Sequence, residues 1–376
     1  MVIVYFSSVF NHHSLPICDA FNSLPGVKCY FVATRTEETQ RKQLGYHSYE
    51  RDYVIDMLES DENCEKARQL ALDADVMIAG VFPYELLMER VLQGKLTFLC
   101  QERMFKGDTN FVRVARAWFF LVRKYRKFRK KPLYLLGIGK GTIEDYQRVG
   151  FYKGKSFQWA YFPPFIQCNI NELMAQKQSD VVRILFVGRM IPLKHPEYVL
   201  CATKSLLEKG YNIHLTYVGT GEMEEALKKE ATAMGDAVSF LGAMPPERVR
   251  QEMEKANVFT FTSNAMEGWG AVVNEAMNAG CAVVAGSEPG AIRTMMVDGK
   301  NGFVYRKEDY EHFYKKLELL VSDKKLTQQL GEAAYATISK EYNAEVAAKR
   351  FVKQANALLN NEKLYDFIDG PMKECN

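Results

Sequence analysis

Val187-Gly188-Arg189-Met190-Ile191-Pro192-Leu193-Lys194 ends an apolar run that begins at Val182 and leads into a helical pattern over His195–Glu208. An apolar strand, a glycine turn and a helix make one βα unit. The same alternation recurs along the whole chain. Strands are expected near Val2–Ser8, Lys28–Ala33, Asp75–Gly80, Lys95–Cys100 and Leu133–Gly137. After Val182–Gly188 they are expected near His214–Gly219, Val238–Gly242, Val258–Thr262, Ala282–Gly286 and Gly302–Tyr305. Short β-rich runs separated by helices predict an α/β protein with parallel sheets.

A chain of 376 residues is longer than one core usually supports, which is roughly 250–300 residues, so two domains are expected. Tyr161-Phe162-Pro163-Pro164-Phe165 marks the break, because two prolines forbid a continuing helix. The expected division is a Rossmann-like domain over 1–165, a polar linker over 166–180 and a second Rossmann-like domain over 181–345. The tail 346–376 follows. Tyr342–Asn360 reads as an amphipathic helix that closes the second domain or packs back on the first.

Three segments of the second half carry chemistry. Arg189 and Lys194 stand five residues apart on a loop where ligands of doubly wound sheets bind. A guanidinium fork, an ammonium and a helix N-terminus together suit a diphosphate; two solvated cations are the bland alternative. Gly219-Thr220-Gly221 is a weaker signal, since glycine serves any tight turn. Glu267-Gly268-Trp269-Gly270 runs into a helix that holds Glu275. The glycine amides face where a diphosphate would sit. A carboxylate on an apolar helix is costly without donors, and ribose hydroxyls are suitable donors. A capping role for Glu267 and an ordinary helix position for Glu275 are the alternatives.

Taken in order, these pieces resemble the C-terminal half of the family 4 glycosyltransferases. The resemblance rests on Gly188, Arg189 and Lys194, then Gly219-Thr220-Gly221, then Glu267-Gly268-Trp269-Gly270-Ala271-Val272-Val273-Asn274-Glu275-Ala276-Met277. Ala279–Ala285 and Asp298–Phe303 extend it, over about residues 180–345. It implies a GT-B architecture, two facing Rossmann-like domains with a cleft between them. It also implies retaining transfer from a nucleoside-diphosphate sugar, with no cofactor and no metal. Arg189 and Lys194 would neutralise the leaving diphosphate, Glu267 would contact the sugar and Glu275 the ribose, and Gly268, Trp269 and Gly270 would line the donor. UDP is taken as the default nucleotide, without a residue that selects it. Asp73-Ala74-Asp75 enters a strand instead of leaving one, the wrong end for a metal–diphosphate site.

The first half is less typical. Ser7–Pro16 has no glycine-rich loop; Ser14 is expected to cap the next helix, and His12 and His13 fall at a strand's carboxyl end. Either histidine is an acceptor or donor contact, and His13 is the candidate catalytic group. Glu102, after the strand Lys95–Cys100, is a candidate base or sugar ligand. Residues 111–131 hold nine arginines and lysines and no acid, with Trp118, Phe120, Tyr125 and Phe128 among them. Val112, Ala115, Phe119 and Val122 are expected to face the core. A basic amphipathic helix with aromatics points to an anionic membrane surface, and from there to a lipid-linked glycan acceptor.

The net charge of +3 argues for no polyanionic partner, and no nucleic-acid motif accompanies the basic stretch. Eight scattered cysteines read as free thiols of a reducing compartment. No signal peptide or membrane span is expected, which places the protein in the cytoplasm, peripheral on the inner face of the membrane. The rival readings are a sugar-nucleotide epimerase or phosphorylase of the same fold, and a non-catalytic nucleotide-binding relative. No cofactor-lysine site for a phosphorylase is found, and the intact Arg189, Lys194, Glu267 and Glu275 set speaks against decay.

Overall fold

The computed structural model describes residues 1–11, 13–35, 50–107 and 109–375, so His12 lies outside the described residues. The chain forms two compact units. One draws on the described residues through Pro164 and on those from Glu341 onward; the other runs from Phe165 to Lys340.

In the first unit, strands β1 (Val2–Ser7), β2 (Lys28–Ala33), β3 (Val54–Asp56), β4 (Val76–Ala79), β5 (Thr97–Gln101), β6 (Leu133–Ile138) and β7 (Ser156–Trp159) form one parallel sheet. Their order is β3-β2-β1-β4-β5-β6-β7. The second unit repeats the plan with β8 (Val182–Val187), β9 (Ile213–Val218), β10 (Val238–Phe240), β11 (Val258–Phe261), β12 (Ala282–Gly286) and β13 (Phe303–Tyr305), ordered β10-β9-β8-β11-β12-β13. Strand order reverses beside β1 in one sheet and beside β8 in the other. At such a switch point neighbouring loops diverge and leave a crevice at the strands' carboxyl ends. Both sheets are apolar through their centres: every residue of β4, β11 and β12 is buried, as parallel strands covered on both faces require.

Two buried cations hold the opposite ends of the sheets. The fully buried Arg90 donates to the carbonyls of Ala71, Ala74, Asp75 and Leu96 and to the Thr97 hydroxyl. Burial pulls its pKa down to about 10, against the field of Asp75. In the second unit Lys177 donates to the carbonyls of Met253 and Ala256. Each cation collects carbonyls at the C-terminus of a helix, Asp61–Asp73 and Pro246–Lys255, where backbone acceptors lack partners.

Several sequence expectations change. The linker expected over 166–180 contains the helix Ile170–Lys177, which buries Leu173 and Met174 in the second unit. Strands β3 and β7 were not anticipated. The first is three residues long, and Ser156-Phe157-Gln158-Trp159 lacks the β-branched residues that mark a strand. The outer edge of β7 is covered by the C-terminal tail, through Gln158 N–H to the Lys373 carbonyl and Met372 N–H to the Gln158 carbonyl. The helix Ala344–Leu359 belongs to the first unit, where the Phe351 ring packs against Phe21, Phe98 and Trp159. Ser14 stands at a helix start without capping it; its hydroxyl bonds to Asn11 Oδ1, and Asn11 holds the turn. The basic helix ends at Tyr125, with a 3-10 turn over Arg126–Phe128. Of the four residues expected to face the core, Val112, Ala115 and Phe119 are exposed and Val122 packs there, beside Val114, Ala117 and Leu121.

Candidate functional site

In the second unit the loops after β8 and β11 are tied together at the switch point. The Thr262 hydroxyl donates to the Lys194 carbonyl at 2.6 Å, and Asn264 N–H donates to the Leu193 carbonyl at 3.0 Å. The 3-10 turn Pro192–Lys194 ends at His195, which adopts the left-handed conformation with φ 44° and ψ 52°. That costs a residue with a side chain about 1 kcal/mol. The His195 ring leans on Glu197, with Nδ1 2.8 Å from Oε1.

Held this way, Lys194 Nζ meets Glu267 Oε2 at 2.5 Å, with both side chains largely but not fully covered. The same ammonium lies 5.5 Å from the centre of the Phe261 ring. Phe261 also sits where a side chain at Gly270 would point: a Cβ there would come within 2.6 Å of the ring. Gly270 is left-handed, with φ +88°, and starts the helix Ala271–Asn278. Glycine is thus required at this helix start by backbone conformation and by the packed ring.

Arg189, by contrast, is exposed, and no described residue pairs with its guanidinium. The glycine turn has a packing role. Gly219 has φ +121°, and a Cβ on it or on Gly221 would strike the backbone of Gly188 or Met190. Gly188 N–H donates to the Val218 carbonyl and Met190 N–H to the Thr220 carbonyl, and Met223 N–H returns a bond to the Met190 carbonyl, which seats the Arg189 loop on this turn. Gly219 and Gly221 therefore position the cation loop.

Glu275 lies one turn into the helix behind Gly270. Burial pushes its carboxyl up to about 7, while the Arg250 guanidinium pulls the other way. Arg250 bonds to Glu254 and Asn278, and no described residue hydrogen-bonds to the Glu275 carboxyl. Trp269 is buried and its indole N–H donates to Asn274 Oδ1 at 2.9 Å, so its ring is a prop of the loop. The backbone carbonyls of Gly268 and Trp269 accept from Gly290 and Ala291 N–H, which fixes the loop from behind.

In the first unit the structure brings His13 and Glu102 to one place through a residue that the sequence reading did not select. Tyr161 O–H donates to Glu102 Oε1 at 2.7 Å, and its ring lies 5.8 Å from the His13 ring. Lys106 Nζ holds the other carboxylate oxygen at 3.1 Å. Burial, reinforced by Glu102, keeps the Tyr161 phenol protonated. Asp75 stands at the amino end of β4 and accepts from Val2 N–H. Among the described residues no group of three or more His, Cys, Asp or Glu side chains is placed to hold a metal ion.

Residues 171–337 match the family model for group 1 glycosyl transferases. The capsular polysaccharide biosynthesis glycosyltransferase CapM of Staphylococcus aureus is 25% identical over 189 residues, which cover 49% of this chain and 48% of that protein. The sulfoquinovosyl transferase SQD2 of Arabidopsis thaliana is 31% identical over 46% of this chain and 33% of its own length. The chain thus spans about half or less of the curated relatives it matches. Among solved structures, Anabaena HepE in complex with UDP aligns over 95% of this chain and all of its own, with a TM-score of 0.67 and 14% identity. The fold is GT-B. The glycosyltransferase from Rickettsia africae agrees, at a TM-score of 0.67 and 11% identity over 96% of this chain and 99% of its own. The curated similarity is confined to about half the chain, and the family model lies in the second unit, where the paired Lys194 and Glu267 stand.

Proposed function

We propose that this chain is a retaining, metal-independent glycosyltransferase that moves a sugar from a nucleoside diphosphate, UDP by default, to a hydroxyl of a lipid-linked glycan acceptor. The observation that carries the reading is the Lys194–Glu267 pair at the switch point of the second sheet. Among the described residues none pairs with Arg189, on the same loop as Lys194, and none hydrogen-bonds to the Glu275 carboxyl on the helix after Gly270. A diphosphate would draw Lys194 and Arg189, and the helix N-terminus at Ala271 would add N–H donors. Glu267, released from Lys194, would accept from sugar hydroxyls next to the reacting carbon. Glu275 would accept from the ribose. Protein cations then carry the charge that a metal would otherwise neutralise as the diphosphate departs.

The UDP default is supported by solved neighbours named as complexes with UDP and with UDP-glucose. The relative CapM acts in capsular polysaccharide biosynthesis. Membrane proximity, on the cytoplasmic face, is supported by the basic segment 111–131; among the described residues no helix is long and apolar enough to cross a bilayer. The acceptor would meet His13, Tyr161 and Glu102. The test is transfer from radiolabelled UDP-sugars to lipid-extracted acceptors in excess chelator, with the product's anomeric configuration read by NMR. Retention of configuration and full activity in chelator are expected. An inverted product, or activity that returns only with Mn²⁺ or Mg²⁺, would overturn the mechanism.

A further inference from the structure

The helix Phe111–Tyr125 divides into three faces. At about 100° per residue, Ala117, Leu121, Val114 and Tyr125 share one arc of roughly 80°, and these pack on Leu135, Ile143 and Tyr146 in the core of the first unit. A second arc of about 100°, from Arg123 through Arg116 and Arg113 to Lys124, is cationic. The Lys124 ammonium lies over the ring of Phe120, which sits within this arc. The third arc, about 120° wide, holds Trp118, Phe111, Ala115, Phe119 and Val112, with Val122 among them packed on the core, and carries no charged side chain. Phe111, Val112, Trp118, Phe119 and Phe120 are each between 50% and 84% exposed.

An exposed apolar face of this width on one helix is uncommon on a soluble surface and marks an interaction site. Its neighbours identify the occupant. One long edge is arginine and lysine, and the chain beyond the helix continues with exposed Arg126, Lys127, Arg129 and Lys130. A second copy of this chain would bring like charges together. A bilayer with anionic headgroups meets both arcs at once, the cations at the phosphates and the aromatic face below them.

We propose that this helix is a hydrophobic wedge, inserting Phe111, Val112, Trp118 and Phe119 beneath the headgroups of an anionic leaflet. This deepens the membrane reading above, which rests on a basic segment with interleaved aromatics, by naming the apolar face that enters the leaflet, and it does not depend on the reaction. Charge attraction between exposed groups fades with salt, whereas apolar burial does not. The wedge therefore predicts binding that survives high salt.

The experiment uses the full chain and vesicles of phosphatidylcholine, with and without phosphatidylglycerol, at low and high salt. Trp159 and Trp269 are buried, so Trp118 reports contact with lipid. Acyl chains brominated near the headgroup should quench its emission. Two variants separate the faces: Phe111→Ser/Val112→Ser/Phe119→Ser, and Arg116→Gln/Arg123→Gln/Lys124→Gln/Lys127→Gln. At high salt the apolar variant should lose at least about tenfold in partitioning, since each exposed aromatic or Val side chain adds to insertion. The charge variant should lose its low-salt advantage while what binds is still quenched. Sedimentation binding without bromolipid quenching would overturn the wedge and leave only surface attraction. Lipid-free self-association that the apolar variant abolishes would make the face a protein contact and also overturn it. UDP affinity, measured on the same variants without vesicles, should be unchanged; its absence in every protein would count against the glycosyltransferase reading and not against the wedge.

Discussion

The two sheets have the same strand order for six strands, yet their carboxyl-end loops are built differently. In the second unit opposite charges meet directly, Lys194 on Glu267, on loops braced by Thr262, Asn264 and the Phe261 ring. In the first unit the strand-end residues are joined through a neutral phenol, with Tyr161 between His13 and Glu102. One fold therefore carries an ion-paired cluster on one sheet and a hydrogen-bonding, aromatic cluster on the other. On the proposed reading the first suits a nucleoside diphosphate and the second an uncharged hydroxyl acceptor. This division of labour can be broken residue by residue.

The largest effect is expected at Lys194. Lys194→Ala removes the ammonium and leaves Glu267 without a counter-charge where the diphosphate binds. UDP affinity should fall about 10- to 100-fold, the scale of a charge-assisted contact of about 1.5–3 kcal/mol. Turnover should fall at least as far, because charge on the leaving group grows along the reaction. Titration calorimetry with UDP and steady-state rates check this. Unchanged affinity and rate would mean that the pair only ties two loops together.

Glu267→Gln sharpens the same contrast, because the pair predicts opposite signs for two measurements. The variant frees Lys194 from its carboxylate, so UDP affinity should hold or rise a few-fold. Turnover should fall about 10- to 100-fold through loss of a charged acceptor beside the sugar. A parallel loss of affinity and rate, with lowered thermal stability, would assign Glu267 to loop structure instead.

How much of this contrast is legible in sequence follows from how local each part is. Arg189, Lys194, Glu267 and Glu275 lie within two βα segments, so spacing alone places the first three on loops after strands and Glu275 in the following helix; that β8 and β11 are neighbours comes from the structure. Eleven of the thirteen described strands also stand out as apolar runs, whereas their order in each sheet comes only from the pairing in the structure. Tyr161 joins Glu102 across 59 residues that include two α-helices and two strands, a contact that no spacing announces. Phe261 reads as one more core residue of β11 until Gly270 and Lys194 are seen on either side of its ring. Gly219 and Gly221 read as a nucleotide turn, but close backbone approach to Gly188 and Met190 already accounts for them. The face of the basic helix was misjudged because both of its sides carry apolar residues, and periodicity cannot say which of two apolar stripes is covered.

Glu275 supplies a pH test with a defined sign. Its carboxyl stands at about 7 in the folded chain, against about 4.3 for an unfolded glutamate. Between those values the folded state binds more protons than the unfolded state. Stability of the ligand-free protein should therefore fall as pH rises through about 4.3–7 and level off above, by at most about 4 kcal/mol. Glu275→Gln should flatten that slope in chemical denaturation. Ribose hydroxyls favour the ionised carboxylate, so UDP affinity should rise up to about tenfold as pH increases through 7, with proton release seen as buffer-dependent enthalpy. A flat stability profile in the native protein would mean that the carboxyl is well solvated.

The smallest effect, and the one that bears most directly on the first unit, is expected from Tyr161→Phe. The substitution keeps the ring against His13 and removes only the O–H donor to Glu102. Lys106 still holds the other carboxylate oxygen, so Glu102 should stay in place with one bond fewer. The Tyr161 O–H acts on the acceptor only by orienting Glu102, so a loss of about 1 kcal/mol, roughly a fivefold change, is expected. That change should fall on kcat/KM for the acceptor and leave UDP affinity untouched, because on the proposed reading the diphosphate is held by Lys194 and Arg189. Glu102→Gln should act in the same direction and more strongly, since it alters the carboxylate itself. If Tyr161→Phe weakened UDP binding as much as it slowed acceptor use, the two strand-end sites would not be separable, and the assignment of donor to one sheet and acceptor to the other would fail.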